Sequence, residues 1–355
     1  MSTHSPLPGP IDADLAHTLQ RFAALDAATP TPHLDYVQRR RLLSERQAQL
    51  IRSPQPGIAR HDHFIAAAGR ELAVRHYQAH HAQPAPHCPR TLVWLHGGGW
   101  MVGDLNTHDD LCEHLAQHTG LHVLSVHYRR TPENPFPAPL DDVMAVLQWL
   151  RAVQGLLPFA ADAVLLGGDS AGAHLALAAA VRQHESTPPT AANSSAAAAA
   201  RIHGLLLLYP PLLPDQATDS MRAFASGFGL TPQAMQHYWQ AMGQPCGDAA
   251  RWLTPSYCHA ALPHLPPTVV MTASHDILRD EAEAFARAAQ QLGAPLQLLR
   301  APAMVHGFAR MVAASPAAGV QLRKACYALT TALATRAALA LADDSTLPGD
   351  PRRTL

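Results

Sequence analysis

The stretch "LLGGDSAGAHLA", residues 165–176, decides how the rest of the chain is read. It closes the apolar run "AVLLG", opens a helix-like segment, and carries the pattern G-x-S-x-G in Gly168, Ser170 and Gly172. A serine on so sharp a strand-to-helix turn takes a strained backbone conformation with its hydroxyl in the open. Glycine is needed two residues to either side, because a Cβ there would strike the neighbouring strand or helix. The helix that begins at Ala171 aims free N–H groups and the positive end of its dipole at whatever Ser170 attacks. The pattern predicts a nucleophile standing at the carboxyl end of a strand.

Outward from that turn, short apolar runs alternate with segments of helical period from about residue 63 onward. The runs are "TLVWLH", "HVLSVHY", "AVLLGG", "GLLLLYP", "TVVMTAS" and "LQLLRAP"; between them lie "NTHDDLCEHLAQHTG", "PLDDVMAVLQWLRAV", "AGAHLALAAAVRQH" and "LRDEAEAFARAAQQLG". This alternation predicts one doubly wound α/β domain, a mostly parallel sheet with helices on both faces, whose ligands sit beyond the carboxyl ends of the strands. Residues 1–50 are helical in pattern, and an insertion at about 212–256 holds "TPQAMQHYWQAMG". Both are expected to pack as a helical cap over a catalytic domain spanning 51–341, forming an acyl or alcohol pocket. The tract 186–200 and the tail 342–355 are low in complexity and read as linker and disordered end.

Attack by Ser170 on a carbonyl creates an oxyanion, and one donor, the N–H of Ala171, is too few to hold it. The triple glycine in "LHGGGWMVGD", residues 95–104, follows a strand and leaves bare peptide groups open to close approach. The N–H groups of Gly97 and Gly98 are therefore expected to complete the oxyanion hole with Ala171; one such donor is typically worth on the order of 3 kcal/mol of barrier. His96 and Gly99 flank them. Trp100 and Met101 are candidates to line the pocket or to pack in the core. "GGGWMVG" has neither the G-K-[ST] ending of a phosphate loop nor the spacing of a dinucleotide turn. A serine also needs a base and an orienting acid, in the order Ser, Asp or Glu, His. Asp276 follows "TVVMTAS", and His306 follows the next strand. Asp276 would fix the tautomer of His306, which would take the Ser170 proton and return it to the leaving group. Asp280 is the rival acid, although a first-turn carboxylate also suits a helix dipole.

Composition narrows the partners. With 48% hydrophobic and 15% charged residues among 355, and a formal net charge of −1, the chain fits a globular protein and lacks a basic block suited to nucleic acid or an anionic membrane. A small, largely uncharged partner is expected. Five scattered cysteines, without C-x-x-C, argue against a disulfide framework or a zinc ribbon. The absence of a secretory pattern and of eighteen uninterrupted apolar residues points to a cytoplasmic protein. Of 23 histidines, His76, His80, His81 and His87 crowd with Cys88, but the stretch reads as a strand and a Pro-broken loop rich in histidine, and no metal is expected. Subunit number, a homo-oligomer included, is left open.

Together, "HGGGW", "GDSAG", "YRRTPENPFPAPLDD", "DILRDE" and "HGF" resemble the hormone-sensitive-lipase-like branch of the α/β-hydrolases, the bacterial carboxylesterases, from about residue 15 to 335. The resemblance implies a triad of Ser170, Asp276 and His306, oxyanion donors Gly97, Gly98 and Ala171, and hydrolysis of short to medium acyl esters without metal or cofactor. It also leaves room for cleavage of amides, lactones or carbamates by the same triad. The gibberellin receptors share the resemblance but lack the triad histidine, which is present here. The family pattern Y-R-L-A-P is replaced by Tyr128, Arg129, Arg130, Thr131 and Pro132, and its second glycine after "GDSAG" by Ala173. Asp169 reads as a buried, hydrogen-bonded scaffold group.

Overall fold

The computed structural model describes residues 9–28, 34–50, 55–67, 69–80, 91–157, 163–186, 200–215 and 217–345. In chain order the elements begin with helices α1 (Ala13–Ala28) and α2 (Tyr36–Ala48) and strands β1 (Ile58–Ala67), β2 (Arg70–Ala79) and β3 (Thr91–Leu95). Helix α3 (Asp109–Thr119), strand β4 (His122–Val126), helix α4 (Ala138–Ala152), strand β5 (Ala163–Asp169), helix α5 (Ala171–Ser186) and strand β6 (Arg201–Leu208) follow. Three short helices, α6 (Asp219–Ala223), α7 (Pro232–Ala241) and α8 (Asp248–Leu253), precede strand β7 (Thr268–His275), helix α9 (Arg279–Gln291), strand β8 (Leu296–Val305) and helix α10 (Pro316–Ser345).

The eight strands form one sheet in the order β1-β2-β4-β3-β5-β6-β7-β8. The ladders from β4 to β8 are parallel, whereas β2 runs antiparallel to both β1 and β4. The parallel part follows from fully buried strands: every residue of β3 and of β7 is buried, as a sheet covered on both faces requires. Alternate residues feed two layers, so Val93 and Leu95 join one core while Leu92 and Trp94 join the other. On one side α4, α5 and α9 cover the sheet; on the other, α3 and α10 do, with Leu322, Ala325, Cys326 and Leu329 of α10 forming a buried stripe.

The hairpin β1–β2 departs from the expected run of six strands. Its outer strand reads "IARHDHFIAA", with a polar run from Arg60 to His63 and only Ile65 buried, because an edge strand buries little and its sequence carries only a faint period of two. His76 lies in β2, buried, with its Nε2 2.9 Å from Nδ1 of His122 in β4. It is thus a sheet residue, and residues 81–88 of the histidine-rich stretch lie outside the described residues. Among the described residues no group of three or more His, Cys, Asp or Glu could hold a metal ion. The tail expected from residue 342 is also corrected in part. Helix α10 continues through "ALADDS" to Ser345, since alanine and leucine favour the helix, and 346–355 lie outside the described residues. Of the tract 186–200, residues 187–199 lie outside them too. No described helix is long and apolar enough to cross a membrane.

Candidate active site

Three strands end one residue before a polar side chain: β5 before Ser170, β7 before Asp276 and β8 before His306. Parallel pairing brings these ends to one edge of the sheet. There His306 Nε2 lies 2.9 Å from Ser170 Oγ, and His306 Nδ1 lies 2.7 Å from Asp276 Oδ2. The other carboxylate oxygen of Asp276 accepts the N–H of Leu278 at 2.9 Å, which fixes the carboxylate plane. The ring of Tyr209 meets His306 edge-on at 4.9 Å. Asp280 stands elsewhere: it accepts the Ser220 N–H at 2.7 Å and the Arg279 Nε–H at 2.8 Å.

Ser170 sits on the turn the motif demands, with φ +51, a left-handed conformation uncommon outside glycine. Both flanking glycines are sterically forced. A Cβ on Gly168 would lie 2.3 Å from the carbonyl carbon of Gly172, and one on Gly172 would lie 1.8 Å from the carbonyl oxygen of Leu95. The start of α5 is thereby pressed against the end of β3, which brings the nucleophile turn and the triple-glycine loop together.

That loop differs from expectation by one residue. The N–H of Gly97 donates to Asp169 Oδ1 at 3.0 Å, with His108 Nε2 at 3.1 Å, so it is already engaged away from the cavity. Gly98 and Gly99 line the cavity in front of Ser170, and their N–H groups meet no acceptor among the described residues. Both have positive φ, +120 and +57. A Cβ on Gly98 would strike the carbonyl of Val102 at 2.3 Å, and one on Gly99 the ring of Tyr238 at 2.3 Å. The amides left free near Ser170 are thus those of Gly98 and Gly99, with that of Ala171 at the start of α5, whereas the Gly97 N–H expected among the donors is held by Asp169 and His108. Sequence could not separate them, because which way each amide turns depends on Asp169 and on His108, whose role nothing in the sequence marks.

Asp169 is 1% exposed. Burial by itself pushes its pKa up, but His108, Arg310 and the Gly97 N–H together hold it below the usual carboxylate value. His96 is buried against Tyr128, ring centroids 4.2 Å apart, with Nδ1 3.0 Å from the Gly97 carbonyl; burial drives its pKa well down, so it stands neutral. Trp100 and Met101 are 0% and 2% exposed and neither lines the cavity. Trp100 Nε1 instead donates to His174 Nδ1 at 3.2 Å, while His174 Nε2 lies 2.8 Å from the Leu253 carbonyl. This fixes one tautomer of a neutral His174, whose pKa burial brings down to about 4. The cavity itself holds about 90 Å³ and is bounded by Leu43 of α2, Leu230 before α7, Met235 and Tyr238 of α7, and Arg310. Arg310 and Tyr238 went unnoticed in the sequence; Arg310 lies on the short turn Phe308–Met311 directly after His306, and its nearness to that histidine was the only available signal.

This arrangement has relatives. The profile of the α/β-hydrolase fold matches residues 92–310, and the chain belongs to that family, in its hormone-sensitive-lipase-like branch. It is similar to the carboxylic ester hydrolase LipN of Mycobacterium tuberculosis, 32% identical over 72% of this chain and 65% of LipN, so that slightly less than two thirds of that relative is spanned. An ethyl acetate hydrolase of Pseudomonas putida is 29% identical over 85% of this chain and 92% of its own length, and the carboxylesterase NlhH of Mycobacterium tuberculosis 31% over 68% and 73%. Among solved structures, a thermostable esterase from Pseudomonas putida ECU1011 superposes with a TM-score of 0.79 at 26% identity, covering 93% of this chain and 99% of that one.

Proposed function

We propose that this carboxylic ester hydrolase works through an acyl-enzyme at Ser170 and takes short acyl groups. The observation that carries the proposal is the unbroken relay of 2.9 Å and 2.7 Å from Ser170 through His306 to Asp276. His306 Nε2 accepts the hydroxyl proton as Ser170 attacks, and Asp276 stabilises the imidazolium that forms. The N–H groups of Gly98, Gly99 and Ala171 take the developing oxyanion. His306 then returns the proton to the leaving alcohol, and a water deprotonated by the same nitrogen releases the acid.

A cavity of about 90 Å³ supports the short acyl group. Helices α2 and α6–α8 act in this scheme as the cap that closes the acyl space, with Tyr238 as its floor. The four described cysteines are free, in keeping with a cytoplasmic setting.

Turnover of p-nitrophenyl esters from acetate to decanoate, on wild type and Ser170→Ala, tests the proposal. Activity is expected to be greatest at acetate to butyrate and to vanish in the variant. A peak at octanoate or beyond would overturn the short-chain assignment, and an undiminished variant the mechanism.

A further inference from the structure

Arg310 is the only Lys or Arg among the described residues that line the catalytic cavity. Its side chain is 18% exposed, its Nε is buried without a hydrogen-bond partner, and the guanidinium donates to no protein acceptor among the described residues. The nearest carboxylate is Asp169, whose Oδ2 is 3.9 Å from Nε, too far for a hydrogen bond. Asp169 attracts the guanidinium through its charge at that distance, but its hydrogen bonds go to the Gly97 N–H and to His108, so the donors of Arg310 are left unbonded. Arg46, the other arginine close by, is paired with Asp26.

The position of Arg310 is fixed from the backbone. Its N–H donates to the Gly307 carbonyl at 3.1 Å, and its own carbonyl accepts from Gln47 Nε2 of α2 at 2.9 Å. Gly307 has φ +76, and a Cβ there would approach Arg310 Nη2 to 3.1 Å. The turn that carries the general base thus also presents a planar fork of unused donors to the space where the ester must lie. Such a fork matches a carboxylate through two parallel hydrogen bonds. A neutral chain filling the same space would strip water from the guanidinium and return nothing.

We propose that Arg310 is a specificity-determining residue that anchors a carboxylate on the substrate, so that the enzyme prefers short esters bearing an anionic group a few bonds from the ester carbonyl. This rests on the esterase function proposed above. Arg310 and Ser170 line the same small cavity, so the anion and the ester carbonyl are taken to belong to one short molecule. The anion can sit on the acyl side, as in a half-ester of a dicarboxylic acid, or on the alcohol side, as in an acylated hydroxy acid. For monomethyl succinate the acyl–oxygen bond breaks as the acyl group passes to Ser170 Oγ, methanol leaves with the proton from His306, and water then releases succinate.

The test compares kcat/KM for two matched pairs: monomethyl succinate against the neutral ketone methyl levulinate, and acetoxyacetate against acetoxyacetone. It uses wild type, Arg310→Met and Arg310→Lys, with succinate binding followed by calorimetry. In the wild type at least one anionic member is expected to exceed its neutral partner by about ten- to hundredfold, and that pair identifies the side on which the anion sits. The ratio should collapse in Arg310→Met, chiefly through KM, and fall only partly in Arg310→Lys. Succinate should bind the wild type and be lost from Arg310→Met. Ratios at or below one in the wild type, or ratios unmoved in the variant, overturn the proposal. Should Arg310→Met fail to fold, Arg310→Lys and a fall in the wild-type ratio between low and high salt decide it. Failure of every ester in the wild type would instead refute the esterase function, and succinate binding would then judge Arg310 alone.

Discussion

Replacing Gly172 by alanine adds one methyl group at the contact between α5 and β3. The new Cβ would stand 1.8 Å from the carbonyl oxygen of Leu95, against a floor of about 3.0 Å for real Cβ contacts, so the helix start and the strand end must part by about 1.2 Å. Backbone faces backbone here, and no flexible side chain can give way. Forced overpacking of this kind costs about 1–3 kcal/mol. The displacement also separates Ser170 and Ala171 from Gly98 and Gly99, and a misplacement of about 1 Å costs on the order of 10²-fold in rate. Gly319→Ala serves as the control, because its Cβ would meet nothing within 4 Å and alanine suits helix α10. Thermal unfolding and kcat/KM for p-nitrophenyl acetate are measured on both. Gly172→Ala should melt about 1–4 °C lower and lose at least about 10²-fold in kcat/KM, while Gly319→Ala matches or exceeds the wild type. A Gly172→Ala enzyme with wild-type melting and turnover would refute the proposed contact.

Two further outcomes follow from the cavity wall and from the buried histidines. Tyr238→Ala removes the ring that faces Gly99 and should shift the acyl optimum toward longer chains, raising kcat/KM for octanoate relative to acetate about tenfold or more; an unchanged chain-length profile would remove Tyr238 from the pocket wall. His174 is the clearest pH probe. Unfolded, its imidazole binds a proton below about 6.5, but folded it does so only near 4, so between those values the unfolded state holds more protons and stability is lost as the pH falls. The gap is worth about 3 kcal/mol. Glu281, pushed up to about 8 by burial, contributes with the opposite sign between about 4.5 and 8. It is common to both proteins and cancels when wild type is compared with His174→Gln. Urea unfolding at pH 7, 5.5 and 4 should find the wild type losing ground to the variant by up to about 3 kcal/mol, whereas parallel losses would contradict a neutral buried His174.

The parallel core of the fold was legible because fully buried strands read as unbroken apolar runs and the helices between them carry a clear period. The grouping of Ser170, Asp276 and His306 was legible for a related reason: each directly follows such a strand, and parallel strands bring their carboxyl ends together. The hairpin was harder to see, since β1 is an edge strand that exchanges its apolar face for arginine, histidine and aspartate. Which glycine amide is tied down was not legible, because three consecutive glycines are alike in sequence and differ only in which amide Asp169 draws toward itself. Trp100 stood undecided between pocket and core until its bond to His174 placed it in the core. Arg310 escaped notice because a single arginine after a catalytic-looking histidine has no pattern; only the cavity gives it meaning.

The central claim is that one serine hydroxyl is activated by one imidazole. Intact-protein and peptide mass spectrometry after treatment with a p-nitrophenyl organophosphonate measures this directly, following both the site and the rate of labelling. One equivalent is expected on Ser170 in the wild type, none in Ser170→Ala, and labelling at least about 10³-fold slower in His306→Ala. A label on any other residue, or a rate indifferent to the loss of His306, would contradict the account.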